Sequence, residues 1–469
     1  MLGIDCMNKL YERIANDIAA DIQQGIYLSG EKIPSVRTLS QQKSVSISTI
    51  SQAYGLLEDQ GLVRSKPQSG YFVREGANQP IQSPPISKGT PPKVVSKINL
   101  ISTMLNATNQ PGLLNLGAAI AHDNFMPQKV IQSHIQKASR FQSAQTLAYI
   151  FPPGYEPLRR QIATRMRQVS VKCNPDEIII TQGCSEALSL CLNAATQPGD
   201  IIAIESPCYY GYLQLAKQKG LKVIEIPTDS QTGMSLDALS LAMKQWSIKL
   251  IITSSRYSNP TGAVMNTEKQ QRLYKLAQQY DVTILEDDVY GELGFTDCVN
   301  TVLKTFDVDD RVMHCSSFSK TLAPGLRIGW CLPGKIFDKI VQEQSFSSFS
   351  PSAICQLSIS SFLESGHFDR HLRKFRSICQ SNLEKVSIAI RQYFPDGTRI
   401  TMPNGGFVLW VKIAGNGSVA ESQMKALEQG ISLAPGALFS NSDEFDQYLR
   451  VNCALPIDSR LMNAIKTVG

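Results

Sequence analysis

The stretch Ser317–Trp330, SFSKTLAPGLRIGW, decides how the rest of the chain is read. It sets one lysine, Lys320, just after the apolar-rich run VMHCSSF (312–318) and just before a Pro324-Gly325 turn signal, with Arg327 seven residues on. Lysines usually lie at the surface, because an ammonium loses hydration when buried, so Lys320 alone carries no special role. Its surroundings carry more. From about residue 97 onward, short apolar runs alternate with helical stretches: EIIIT (177–181), DIIAIE (200–205), KLIIT (249–253) and VTILED (282–287). Such alternation predicts an α/β domain, a parallel sheet wrapped by helices.

At 469 residues the chain is too long for one core, and domains of roughly 100 to 200 residues predict two or three. No apolar run approaches the roughly 20 residues that span a bilayer, so a membrane protein is not expected. The start MLGIDCMNKLYERIANDI lacks a basic segment followed by an apolar one, which speaks against a signal peptide and for the cytoplasm. Eleven cysteines are scattered without a CxxC pair, and Cys191 sits in apolar LSLCLNAA, so they read as reduced core residues. His367 and His371 are four apart, as in two-His metal sites, but no third ligand is near in sequence, and no metal is expected.

The net charge of +6 says little about nucleic acid by itself. Its distribution says more: residues 32 to 74 hold Lys32, Arg37, Lys43, Arg64, Lys66 and Arg74 against only Glu58 and Asp59. Leu10, Ile14, Ile18 and Ile22 form a helical stripe that Gly25 ends. Ser35 and Ser46 are placed to cap two more helices, the last closed by Gly61, and LVRSKPQSGYFVRE alternates around a turn as a β-hairpin. Residues 77–96 then hold five prolines and few large apolar side chains. They read as a linker, extended at about 3 Å per residue and able to hold two domains up to about 60 Å apart. The expected organisation is a 1–76 head, a 77–96 linker and a 97–469 body.

Three helices and a hairpin match helix-turn-helix geometry, in which the start of the third helix faces the major groove. Over about 65 residues, with KIPSVRTLS, AYGLLEDQG and SGYFV in order, the head resembles the GntR-type winged helix, an α+β fold that binds double-stranded DNA. The resemblance implies DNA contacts from Arg37, from Ser46, Ser48 and Thr49, and from Arg64 or Lys66 in the wing. Hydroxyls and bases of this kind anchor phosphates, while sequence is read at base edges. One departure is Ile47, where the family often carries arginine.

The body resembles the fold-type I, class I/II aminotransferases, which bind pyridoxal phosphate (PLP). Beside the Lys320 loop, the family's signatures follow in order: GYEPLRRQIA at 154, TQGCSEAL at 181, SPCYYG at 206, SNPTG at 258, LEDDVYGEL at 285 and YLRVN at 448. The implied architecture is a mainly parallel sheet with flanking helices and a smaller terminal subdomain. The resemblance makes Lys320 the Schiff-base lysine. It assigns the phosphate to the backbone of Gly183, Cys184 and Ser185 at a helix start, with Ser317, Ser319 and Arg327. Asp287 is implied for the pyridine nitrogen, with Glu286 and Asp288 as the alternatives; the family's spacing of Asp three residues before Tyr favours Asp287. Tyr290 and Asn259 are implied for the phenolic oxygen, Tyr209 for stacking on the ring, and Arg450 with Asn259 for a ligand carboxylate. Tyr149 is implied to reach the phosphate of a neighbouring subunit in a head-to-tail homodimer.

Head and body together resemble the MocR-like branch of GntR regulators. The implied function is a PLP-dependent transcription regulator that senses PLP, an amino acid or an amine at Lys320. The alternative is an active aminotransferase carrying a DNA-binding head. Ser258-Asn259 before Pro260-Thr261-Gly262, and the Asp287 to Tyr290 spacing, look more like the enzymes than like MocR regulators. A third reading, a head that mediates protein contacts only, is disfavoured by its basic cluster.

Overall fold

The computed structural model describes residues 10–28, 30–66, 69–74, 83–95, 104, 106, 110, 112–295, 301–415 and 417–469. They fall into two compact units, one centred on residues 10–74 and one on residues 83–383 and 397–468.

In the small unit the first helix is Leu10–Gln23. Ile14, Ile18 and Ile22 are buried as the stripe predicts, but Leu10, at the helix start, is exposed. The second helix, Val36–Lys43, is capped by Ser35, whose hydroxyl accepts from the Thr38 amide at 3.1 Å. The third, Ile47–Asp59, is capped in the same way by Ser46, which accepts from the Thr49 amide at 3.1 Å. Each cap satisfies an amide that the helix start leaves unpaired. Strands Val63–Lys66 and Gly70–Val73 pair antiparallel as the wing. Glu58 ties it to the third helix by accepting from the Ser65 amide at 2.9 Å and the Ser65 hydroxyl at 2.7 Å. Tyr54, fully buried, donates to the Pro34 carbonyl and closes the core beneath the second helix.

In the large unit the main sheet runs Lys93–Val94, Lys222–Asp229, Ile201–Ser206, Ile248–Thr253, Thr283–Asp287, Val312–Ser317, Gly329–Leu332, Ile179–Thr181. The five strands from Lys222–Asp229 to Val312–Ser317 are parallel, and Gly329–Leu332 is antiparallel to both its neighbours. Alternation sends Ile202, Ile204, Leu250, Ile252 and Leu285 into a core with helix Cys184–Ala195, while Ala203, Ile251 and Ile284 join a second core with helices Leu236–Gln245 and Thr267–Gln279. Both faces are covered, which is why these strands read as unbroken apolar runs. A smaller antiparallel sheet of Arg399–Ile400, Val408–Lys412, Tyr448–Asn452 and Ala434–Pro435 forms the terminal subdomain.

The described part of the Pro-rich stretch, 83–95, holds no helix and is seated against this unit instead of running free. Ser87 donates to the Ser206 carbonyl at 2.7 Å, the Lys88 amide bonds the Glu444 carboxylate, and Lys93–Val94 pairs with the edge strand. The Lys88 amide and the backbone of Lys93–Val94 thus find partners on this unit. No helix among the described residues is long and apolar enough to cross a membrane.

Candidate functional site

The parallel strands deliver their C-terminal ends to one crevice, the usual ligand position in open α/β sheets. There a cavity of about 350 Å³ is lined by Cys184, Ser185, Tyr209, Asn259, Asp287, Tyr290, Ser317, Ser319, Lys320, Arg327 and Arg450, among others. Every body residue that the resemblance assigned to the cofactor or its ligand lies at this cavity except two. Gly183 stands one residue back, as the N-cap of helix Cys184–Ala195. Tyr149 lies elsewhere on the surface, 71% exposed, packed edge-on against Phe349 at 5.1 Å.

Lys320 is half-buried, its Nζ donating to the Ala119 carbonyl at 2.6 Å. Burial, followed by the Arg450 charge, lowers its pKa to about 8. A substantial share of neutral amine at mild pH is what a nucleophilic lysine needs.

Three acids follow one another at the end of strand Thr283–Asp287, and the pleat separates them. Glu286 turns away, held by the Ser255 hydroxyl at 2.5 Å, the Leu303 amide at 2.7 Å and His314 at 3.0 Å. Asp288 forms a buried pair with Arg256, Nε to Oδ1 at 2.9 Å. Asp287 alone faces the cavity, accepting from the Tyr212 hydroxyl at 2.8 Å and the Val289 amide at 3.1 Å. Burial pushes its carboxyl pKa up, with those bonds opposing the shift. A buried carboxylate without a cation fits a protonated ring nitrogen as its partner.

At another wall Gly183 takes φ +81°, and a Cβ there would run into the Arg327 guanidinium. Glycine is therefore required both by conformation and by space. Arg327 reaches the Ser319 hydroxyl at 3.1 Å and the Gln182 carbonyl at 3.0 Å, and the Ser319 amide bonds the Ser317 hydroxyl at 3.2 Å. Helix-start amides, an arginine and two serines make a cradle suited to a phosphate dianion. The Tyr290 hydroxyl is buried without a protein partner, an orphan that a ligand oxygen would satisfy.

Arg450 is fully buried in strand Tyr448–Asn452, over the Phe439 ring at 4.9 Å. Its Nε and Nη2 donate to the Gly117 carbonyl at 3.1 and 2.8 Å, and its Nη1 to Asn259 Oδ1 at 2.9 Å. Of five guanidinium N–H groups these bonds engage three, leaving one on each Nη for a carboxylate.

Several site residues escaped sequence reasoning. Tyr212, the partner of Asp287, sits three positions beyond Tyr209 on the helix Tyr210–Gln218, a spacing that marks a shared helix face and was legible. Glu205, buried and pushed up to about 7 by desolvation, holds the Ser258 hydroxyl at 3.0 Å and so the turn before Asn259. Nothing in the sequence marks the carbonyls of Gly117 and Ala119.

In the small unit Arg37, Ser46, Ser48, Arg64 and Lys66 are exposed, and Thr49 is half-exposed. The Ser46 hydroxyl is occupied by the cap and by contacts with the Ser48 and Thr49 hydroxyls at 2.8 and 2.7 Å. Ile47 is 52% exposed beside them. As for the two histidines, His371 Nε2 meets the Thr321 carbonyl at 2.7 Å and His367 Nδ1 meets the Ser365 hydroxyl at 2.7 Å.

Residues 113–468 match the family described as aminotransferase class I and II, and residues 10–73 match the bacterial regulatory proteins of the gntR family. The chain is 40% identical over 461 residues, 98% of each protein, to YjiR of Escherichia coli (strain K12), described as an uncharacterized HTH-type transcriptional regulator. It is 28% identical over 381 residues to aromatic-amino-acid aminotransferase 1 of Thermococcus litoralis, covering 80% of this chain and 91% of that one. Its fold matches the crystal structure of Pyrococcus horikoshii kynurenine aminotransferase in complex with PMP, KYN and KYA, at a TM-score of 0.73 and 25% identity, over 79% of this chain and 93% of that one. The residues lining this cavity fit PLP, in keeping with the homology of the large unit to the aminotransferases. The chain belongs to the aminotransferase class I and II family and, through the GntR-type winged helix it carries, to the MocR-like regulators.

Proposed function

We propose that this protein regulates transcription by binding DNA through residues 1–76 and by sensing PLP, together with an amino acid or amine, in the body at residues 97–469. The observation that carries the reading is a full set of cofactor-binding groups around Lys320 on the same chain as a capped, hydroxyl-rich recognition helix. When bound, PLP supplies an aldehyde that captures amines and an electron-withdrawing ring. Lys320 holds the aldehyde end with its amine. The Gly183–Ser185 helix start, Ser317, Ser319 and Arg327 bind the phosphate. Asp287 keeps the ring nitrogen protonated, Tyr209 stacks on the ring, and Tyr290 and Asn259 hold the phenolic oxygen. Arg450 orients a ligand carboxylate. In the head, Arg37, Ser48, Thr49, Arg64 and Lys66 meet the DNA, with Ser46 setting the start of the recognition helix.

Coupling requires that the ligand bind one arrangement of the protein better than another. The test is fluorescence anisotropy with duplex DNA from the gene's own upstream region, with and without PLP and amino acids. A shift of the binding midpoint by roughly fivefold or more is expected; unchanged curves would sink the regulator. A second reading, aminotransferase activity, is favoured by the low pKa of Lys320 and the carboxylate-ready Arg450. Steady conversion of an amino acid and a 2-oxo acid would promote it.

The body also works as a head-to-tail homodimer in this reading. Tyr149, Phe151 and Phe349 pack their rings together at the surface, and Leu147 is exposed close by in sequence; in this reading Tyr149 serves the cofactor phosphate of a second copy. Sedimentation of the PLP-loaded protein should give a dimer that Phe349→Asp weakens; a monomer at micromolar concentration would contradict it.

A further inference from the structure

Resting on the reading of the cavity as an amino-acid site, we infer that its preferred ligand is an α-amino acid with a bulky uncharged side chain, selected by Met104, Ile120 and Tyr210. Both ends of such a ligand are fixed by one stretch of backbone. The Ala119 carbonyl accepts from Lys320, which marks the amine end, and the Gly117 carbonyl accepts twice from Arg450, which marks the carboxylate end. An amino acid joining the two lies along residues 117–119, so its side chain meets what flanks that stretch within the cavity.

What flanks it is apolar. Ile120 continues the same backbone and lines the cavity with 42% of its surface exposed. Met104 lines it too, and is otherwise buried in a cluster with Trp410, Phe439 and Tyr448. Tyr210 adds a ring 4.7 Å from Tyr209 and 6.0 Å from Phe439, the ring that underlies Arg450. Met104 and Tyr210 thus belong to one apolar cluster and Ile120 lines the same cavity, surfaces favourable to aliphatic or aromatic side chains.

The charges tell the same story. The cations among the described lining residues are Lys320, Arg327 and Arg450, and each already serves the amine end, the phosphate cradle or the α-carboxylate. A second carboxylate, as in aspartate or glutamate, would be desolvated against Ile120 and Met104 with no unengaged cation among the described lining residues of this chain to pair it. A distal ammonium fares no better, because the lining acid, Asp287, is engaged with Tyr212 and Val289 at the ring end. Apolar pockets discriminate modestly, by roughly 10- to 200-fold per group, so preference and not absolute exclusion is expected.

The test titrates the PLP-loaded full-length protein with L-leucine, L-phenylalanine, L-glutamate and L-aspartate, following the visible absorbance of the cofactor as each displaces Lys320. Leucine and phenylalanine should half-saturate at concentrations at least about tenfold below the acidic amino acids. Ile120→Lys, at an exposed position that spares the core, should narrow that gap by improving glutamate. Acidic amino acids binding as well as leucine, or an Ile120→Lys variant with an unaltered ranking, would overturn the side-chain assignment alone. If borohydride fixes PLP on Lys320 yet no α-amino acid changes the spectrum, the amino-acid reading falls and this inference with it.

Discussion

Desolvation of Lys320, reinforced by Arg450, brings its pKa from 10.5 down to about 8. Folding therefore disfavours the ammonium, and between about pH 8 and 10.5 the unfolded chain binds more protons at this site than the folded one. The contribution of Lys320 to stability accordingly improves as pH rises through that window and is flat below it. The same shift sets reactivity: the rate at which apoprotein captures PLP should climb with pH and level off near a midpoint of about 8, checked by stopped-flow absorbance. A midpoint near 10 would mean that the lysine is not desolvated. At this scale the sequence is informative where a residue type is matched to a chemistry, as with Lys320, Asp287 and Arg450. It is silent where the group is a backbone carbonyl, as at Gly117 and Ala119, because any residue supplies one. Asp287 could be told from Glu286 and Asp288 only by family spacing; the pleat that turns it toward the cavity is set by pairing with the neighbouring strands, between Ile251–Thr253 and Val312–Cys315.

Helix starts were legible because capping is local. Ser35 and Ser46 each accept from the amide three residues on, as the sequence suggests. Ser46 has the larger consequence, since its hydroxyl also gathers those of Ser48 and Thr49. Ser46→Ala should destabilise the head by about 1 kcal/mol and weaken DNA binding, while PLP absorbance stays as in the wild type. Circular dichroism melting with DNA titration checks both, and an unchanged melt would refute the cap. The Pro-rich stretch was legible as distinct from its flanks in composition but not as docked. Its edge pairing at Lys93–Val94 is with residues 222–223, and its Lys88 amide meets Glu444, partners far along the chain that no local pattern announces. The main sheet was legible as buried and parallel because its strands are apolar on both faces, whereas the reversed strand Gly329–Leu332 was hidden inside the lysine-loop motif.

For the whole molecule, the overall charge of +6 understates what the head offers, because basic residues concentrate between positions 32 and 74. Binding that releases counterions should weaken steeply with salt, log K falling by about 0.9 per neutralised phosphate for each unit of log salt. Arg37→Ala should make that slope shallower by about one such contact per bound head, and a salt-independent affinity would exclude phosphate contacts. The central claim is that occupancy at Lys320 governs the DNA-bound state. The most direct measurement is the DNA-binding midpoint of wild type and Lys320→Ala, each with and without PLP, at one fixed salt concentration. The account predicts a PLP-dependent shift of at least about fivefold in the wild type that Lys320→Ala abolishes. The same shift in both proteins, or none in the wild type, would contradict it.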